Sequence, residues 1–268
     1  MANAAGEDEI LIDTRDHIMR ITINRPEARN SLNLTTYLQL GGALELAEQD
    51  PDVWVVILTG AGDLAFCAGQ DLKAVARGEA TSPDDPVKQA WGWGGIARHP
   101  ISKPVIAAVN GMALGGGTEI TLYCDLAVAA DHAQFGLPEV ARGLYAAGGG
   151  TIRLQRQIPH KIAMEMILTG QPITAQRALD VGLVNRVVPG EQLLDAAYEL
   201  AALITANAPI SVQASKRIAL GIDDGVIPDE ADGWVRATRE ARIIGATADS
   251  KEGPRAFAEK RTPQWTAR

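Results

Sequence analysis

The sequence has little of what metal, disulfide and nucleic-acid proteins are built from. Two of its 268 residues are cysteine. Cys67 and Cys124 are too few for a disulfide framework and lack metal-ligand spacing. The four histidines (His17, His99, His132, His160) stand singly, so no metal site is expected. Lys and Arg number 25 against 33 Asp and Glu, a net charge of -8, with no basic cluster to neutralise phosphates. Nucleic acid is therefore excluded as a general partner, although a local basic pocket for one anionic ligand is not. No run of about 18 apolar residues would span a membrane. The first ten residues, MANAAGEDEI, carry acids where a secretory signal carries bases. A reducing cytoplasm and no membrane partner are expected.

What is present is ordinary globular composition, 46% hydrophobic and 22% charged, in a chain long enough to bury a sizeable core. The informative stretch is 105–139. Residues 105–109 are an apolar run of strand length, and Asn110-Gly111 lets the chain turn. Helix-compatible residues resume at Met112, and Gly115-Gly116-Gly117 opens a helix over 118–123. Such a triplet is either a close packing contact or a place where an outside group reaches backbone N–H donors at a helix N-terminus. In the second reading the donors and the helix dipole attract negative charge, including charge that develops in a transition state. Glu119 sits one turn into the helix, and Glu139 follows behind Pro138 after a second strand-like run, 126–130. Residues 111–118 are a near miss to a phosphate loop, but Gly117 replaces the lysine, which disfavours a nucleotide triphosphatase.

The rest of the chain alternates. Residues 10–13 and 17–24 predict a β-hairpin, 35–49 a helix and 54–58 a buried strand. Gly60 to Ala65 resembles the dinucleotide pattern G-x-G-x-x-A, but no helix opens from it. Ala68-Gly69 forms either a second tight loop with a backbone N–H facing a pocket or an ordinary strand-to-helix turn. Residues 76–88, rich in Pro, Asp, Gly and Ser, predict a surface loop. Trp91 and Trp93 follow in an expected helix, either lining an apolar pocket or packing the core. Helices are expected to about 157, over 161–168 and over 175–180, with a strand over 183–188. From 191 onward only helices are expected: 191–206, 210–221, 228–245 and 250–261. The organisation is thus a βα body, 1–190, and a helical C-terminal region, 191–268.

Several motifs in order carry a family resemblance: Ile21-Thr-Ile-Asn-Arg-Pro26, Leu58-Thr-Gly60, Phe66-Cys-Ala-Gly-Gln-Asp-Leu72, residues 107–119, Phe135-Gly-Leu-Pro-Glu139 and residues 252–261. The chain resembles the crotonase, or enoyl-CoA hydratase/isomerase, superfamily along nearly its whole length. The resemblance implies an α/β fold, a spiral of ββα units with a helical C-terminal trimerisation region, and a homotrimer or dimer of trimers. It implies an acyl-CoA thioester substrate, coenzyme A entering only as part of that substrate with no permanently bound cofactor. Carried over by residue, the oxyanion hole would be the N–H groups of Ala68 and Gly116. The two acidic positions of hydratases are both glutamate here, Glu119 and Glu139, whereas isomerases of the family typically keep only the acid at 139. Coenzyme A contacts would fall on Ala28, Arg29, Ala68, Gly69, Gln70, Asp71 and Gly116, with Phe257 and Lys260 reaching the nucleotide from a neighbouring subunit.

The implied chemistry is hydration of a trans-2-enoyl-CoA. Water addition puts negative charge on the thioester oxygen, where two preorganised donors stabilise it. Glu119 is expected to take a proton from water and Glu139 to give one to the α-carbon, with the roles exchanged in dehydration. Two carboxyl groups on one water cannot both ionise easily, so they titrate as a unit. Tyr145, Ala146, Ala147 and Ile152 depart from the usual hydratase pattern. Residues 76–86, 136–139 and 259–265 are also similar to carnitinyl-CoA dehydratases, which implies a bulky charged acyl group as an alternative.

Overall fold

The structure is a computed structural model that describes residues 8–268; residues 1–7, which include most of the segment expected to lack a secretory signal, lie outside the described residues. The chain opens with the hairpin β1 (Ile10–Arg15) and β2 (Ile18–Ile23), paired antiparallel as expected. Helix α1 (Leu34–Gln49) starts from a capping box in which the Asn33 side chain accepts the Thr36 N–H and the Thr36 hydroxyl accepts the Asn33 N–H.

From β3 the chain repeats one unit: a longer strand, a three-residue strand, then helix. The units are β3 (Val55–Gly60) and β4 (Ala65–Cys67) with α2 (Leu72–Ala76) and α3 (Pro86–Ala90), then β5 (Val105–Val109) and β6 (Met112–Leu114) with α4 (Gly116–Tyr123). The third is β7 (Leu126–Ala130) and β8 (Gln134–Gly136) with α5 (Gly150–Gln157) and α6 (His160–Thr169). The longer strands extend the hairpin into a six-stranded sheet, β1-β2-β3-β5-β7, closed by β10 (Arg186–Val188), parallel from β2 onward. The short strands form a second sheet, β4-β6-β8, with β9 (Ile173–Thr174) antiparallel at its edge; α7 (Ala175–Asp180) follows. This is the ββα spiral the resemblance implies.

Both faces of the central strands β3, β5 and β7 are covered, which is why these strands are nearly continuous apolar runs. Val56, Leu58, Ala107 and Ala129 point toward the second sheet and meet Phe66, Ala113 and Phe135. The alternate residues Val55, Ile57, Ile106, Ala108 and Val128 point the other way, against Leu193, Ala196, Ala197 and Ala201 of α8 (Leu193–Thr205). Each such buried Val, Ile or Leu side chain contributes about 1.5–3 kcal/mol. The first helix of the expected C-terminal region therefore shares its core with the spiral. Helices α9 (Pro209–Leu220), α10 (Ala231–Gly245) and α11 (Asp249–Ala258) follow, and none is long and apolar enough to cross a membrane.

Three expectations need correction. Met112 begins strand β6, not a helical segment, because it pairs with both β4 and β8. Trp91 and Trp93 are not in one helix: α3 ends at Ala90 with Trp91 as its C-cap, and Gly92, Gly94 and Gly95 take φ of 75°, 67° and 76°, a left-handed backbone that breaks the helix. The last helix stops at Ala258, short of 261, and Lys260 is already at φ 54°.

Candidate active site

The site is built where β6 enters α4. Gly115 caps the helix with φ 57°, its N–H donating to the Gly136 carbonyl at 2.8 Å. Buried Thr118 ties the same corner together, donating to the Ala113 carbonyl at 2.6 Å and accepting the Gly136 N–H at 2.9 Å. Each glycine of the triplet makes room for a group of the protein itself. A Cβ at Gly115 would lie 2.9 Å from Glu139 Oε1, one at Gly116 only 1.9 Å from Trp93 Cη2, and one at Gly117 2.0 Å from the Cys67 carbonyl oxygen. Close packing thus accounts for the triplet. The Gly116 N–H, at the first position of α4, nevertheless has no acceptor among the described residues.

The loop after β4 lies against this corner. Gly69 takes φ 88°, and a Cβ there would sit 3.1 Å from Gly116 N and 3.3 Å from the Leu114 carbonyl oxygen. The donor expected at Ala68 is engaged within the chain: its N–H donates to the Arg29 carbonyl at 3.1 Å, and the Gly69 N–H to Cys67 Sγ at 3.3 Å. The neighbouring Gln70 N–H has no acceptor among the described residues. Motif position alone did not reveal this difference, because the pairing of 28–32 with 67–71 decides which amides are used up: Leu32 N–H to the Gly69 carbonyl at 2.8 Å, and Asp71 N–H to the Leu32 carbonyl at 2.9 Å.

That pairing brings Arg29 beside Ala68, with Ala28 one residue earlier at the end of the turn Pro26–Ala28. The Asp71 side chain, however, serves the fold. One oxygen caps α2 through the Lys73 and Ala74 amides, both at 3.0 Å, and the other pairs with Arg25 at 2.9 Å. Against the cost of burial, the Ala74 amide and Arg25 hold its carboxyl below the usual range. Phe257 and Lys260 lie elsewhere, at the end of α11, where the Arg142 guanidinium stands 4.0 Å from the Phe257 ring. No hydrogen bond, ion pair or ring contact joins either to 28–29 or 68–71 among the described residues.

The two glutamates converge on the α4 corner from different elements. Glu119, in the first turn of α4, is 4% exposed, and its Oε1 accepts the Gly150 N–H at 2.8 Å. Glu139, on the turn Pro138–Arg142, is partly buried, and its Oε2 is a buried oxygen without a hydrogen-bond partner among the described residues. Burial and the neighbouring Glu139 push Glu119 up to about 8, against the pull of the Gly150 and Gly148 amides and Arg153. Burial pushes Glu139 up to about 7. Paired carboxyl groups with raised values are what acid–base work near neutrality requires. Cys67 is buried and pushed up to about 12, so its thiol is inert.

Glycines 148–150, visible in the sequence, carry a function that sequence reasoning missed. Gly150 starts α5 and supplies the Glu119 donor, while a Cβ at Gly148 would lie 2.7 Å from Glu119 Oε2. Three residues on, buried Arg153 forks onto Glu230 with two hydrogen bonds of 2.7 Å, and the Tyr145 hydroxyl donates to the Ala237 carbonyl at 2.6 Å. Helix α10 is thereby fastened to the segment that holds Glu119. A cavity of about 810 Å³ lies nearby, lined by Tyr123, Arg153, Lys216 and Glu230 among others, but neither catalytic candidate faces it. No cluster of three metal-ligating side chains exists among the described residues.

The family model described as enoyl-CoA hydratase/isomerase matches residues 13–268. The chain belongs to this family. A carnitinyl-CoA dehydratase from Salmonella arizonae is 42% identical over 254 residues, covering 92% of this chain and 94% of that protein. Enoyl-CoA hydratase EchA19 from Mycobacterium tuberculosis is 40% identical over the full length of both. Among solved structures, EchA1_1 from Mycobacterium paratuberculosis superposes with a TM-score of 0.94 at 55% identity, and a carnitinyl-CoA hydratase from Mycobacterium avium with 0.95 at 51%, each covering 98% of this chain and 100% of the other. The enoyl-CoA hydratase/isomerase assignment fits a site of two carboxyl groups beside a helix N-terminus.

Proposed function

We propose that this hydro-lyase adds water reversibly across the double bond of a trans-2-enoyl-CoA thioester. The observation that carries the reading is the pair of glutamates, one buried and one partly buried, beside the Gly116 amide, which has no acceptor among the described residues. The thioester oxygen would take the N–H groups of Gly116 and Gln70, the amide next to the expected Ala68, and charge arriving there would meet donors already in place. Water oxygen bonds to C3, one water proton passes to a glutamate, and C2 receives a proton from the other. The Gly150 amide is fixed in the fold and favours a carboxylate at Glu119, whereas the burial contribution changes when water or thioester enters. Burial nonetheless leaves Glu119 the higher of the two, at about 8 against about 7, so the assignment of Glu119 as the base in hydration and Glu139 as the acid rests on the family resemblance.

Residues 28–29 and 68–70 supply backbone for coenzyme A, which comes and goes with the substrate and leaves no resident cofactor. Phe257 and Lys260 complete that site from a neighbouring subunit of a homotrimer or dimer of trimers in the cytoplasm. Exposed Ile210, Ile218 and Val235 on α9 and α10 support an assembly of this kind. The relatives named carnitinyl-CoA dehydratase support a second reading, in which the acyl group carries a cation. A panel of enoyl-CoA thioesters including crotonobetainyl-CoA, followed by loss of the conjugated absorbance and by uptake of solvent oxygen, tests both. Product without solvent oxygen would indicate isomerisation, and binding without turnover of any member a non-enzymatic acyl-CoA scaffold.

A further inference from the structure

Trp93 occupies a place that the proposed chemistry leaves unexplained. Its six-membered ring lies between the amide end of α4 and the loop beside Glu119: a methyl on Gly116 would be 1.9 Å from Cη2, and one on Gly148 would be 3.0 Å from Cε3. That same Gly148 methyl would be 2.7 Å from Glu119 Oε2, so the indole and the proposed catalytic carboxyl group flank the same glycine. The ring is held at its other edge. Its Nε1–H donates to Gln70 Oε1 at 3.0 Å, and Gln70 Nε2 donates to the Leu32 carbonyl at 3.1 Å. The backbone beneath is also confined, since a Cβ at Gly95 would meet the Tyr37 carbonyl oxygen at 2.3 Å and one at Gly94 Leu32 Cδ1 at 2.8 Å. Trp91, the other aromatic of the segment, stacks on His99 and lies against Gly41 of α1, away from the glutamates.

We propose that Trp93 is the wall that limits the length of the acyl chain this enzyme accepts. The inference rests on the hydratase reading of the same site. A thioester whose oxygen reaches the Gly116 amide and whose double bond lies at the two carboxyl groups has the indole as its next neighbour. Because the ring is pinned through Gln70 and its glycine turn is packed on α1, it yields only by moving both. A short acyl group fits beside it; each further methylene must displace it. A single methylene in a filled pocket is worth about 10–200-fold in discrimination.

The test is kcat/KM for crotonyl-, hexenoyl-, octenoyl- and dodecenoyl-CoA, measured on the full-length wild type, Trp93→Ala and Trp93→Phe. Wild type should favour crotonyl- over dodecenoyl-CoA by at least about 100-fold, Trp93→Ala should bring that ratio within about tenfold, and Trp93→Phe should fall between. Dissociation constants for saturated butyryl- and dodecanoyl-CoA, from calorimetry, should follow the same order without any turnover. They separate failure of this proposal from failure of the hydratase reading. An unchanged chain-length ratio in a folded Trp93→Ala protein overturns the proposal. If the alanine variant does not fold, wild type binding both saturated thioesters equally, or Trp93→Phe matching wild type on both chains, overturns it instead.

Discussion

The Gly150 N–H and the Glu119 carboxylate are 2.8 Å apart, which joins the first residue of α5 to the first turn of α4. One carboxyl group of the pair thus has a fixed donor and the other, Glu139, has a buried oxygen with none among the described residues. Replacing either glutamate by glutamine keeps the shape and removes the proton function. Glu119→Gln and Glu139→Gln should each lower kcat by about 10²–10⁴-fold. The dissociation constant of a saturated acyl-CoA, measured calorimetrically, should stay within about threefold of wild type.

The raised carboxyl values also make stability depend on pH. Both groups hold a proton in the folded chain at pH values where the unfolded chain has lost it, from the ordinary 4.5 up to about 7 for Glu139 and about 8 for Glu119. Across that window the native state binds more protons, so wild-type stability falls as pH rises. Glu119→Gln has no such proton to lose. Its Tm relative to wild type should rise between pH 5 and pH 9, by roughly 2–4 °C for each kcal/mol relieved, as differential scanning calorimetry would register. Hydration should pass through a maximum in pH, because the pair works with one proton.

Gly69 should be intolerant of a side chain even though a Cβ there would meet neither of the proposed catalytic carboxyl groups. At φ 88° an alanine is strained, and its Cβ would stand 3.1 Å from the Gly116 amide nitrogen, in front of a proposed donor. Gly69→Ala should reduce kcat/KM by about 10²–10³-fold. Steady-state kinetics at a pH where wild type is maximal would reveal it, and activity within a few-fold of wild type would remove this loop from the donor pair.

The Arg153–Glu230 fork is buried on both sides, each side chain 8% exposed. Removing one partner leaves an uncompensated charge in the interior and should cost about 3–5 kcal/mol. Glu230→Gln should therefore lower the urea midpoint strongly, while the double replacement Arg153→Met with Glu230→Leu should recover most of the loss. Chemical denaturation of the three proteins distinguishes this from an exposed pair, where both changes would be within about 1 kcal/mol.

If Lys260 reaches the nucleotide of a substrate bound mainly to another subunit, its charge serves binding and not the chemical step. Lys260→Ala should raise KM for an acyl-CoA several-fold at low salt with kcat unchanged, an effect that shrinks as ionic strength rises. An unchanged KM at every salt concentration would make it an ordinary surface charge.

The ordered motifs and the period of the apolar residues determined much of this protein by themselves. Runs such as 105–109 are apolar at every position because both faces are covered, and a pattern that strong survives without any knowledge of what covers it. The glycine triplet and the two glutamates stood out as candidates in the sequence because few residue types can offer unshielded amides or paired carboxyl groups. Tertiary structure alone decided the second sheet, whose three-residue strands β4, β6 and β8 are too short to show a period and exist only through pairing with one another. It also decided which amides are free. Ala68 and Gln70 are equivalent in sequence terms, yet the segment 28–32 takes up the first and leaves the second, because a backbone N–H is committed by whichever carbonyl the fold brings opposite it. The place of Trp93 has the same origin: its residue type allowed core or pocket, and only the fold sets its ring against Gly116 and Gly148.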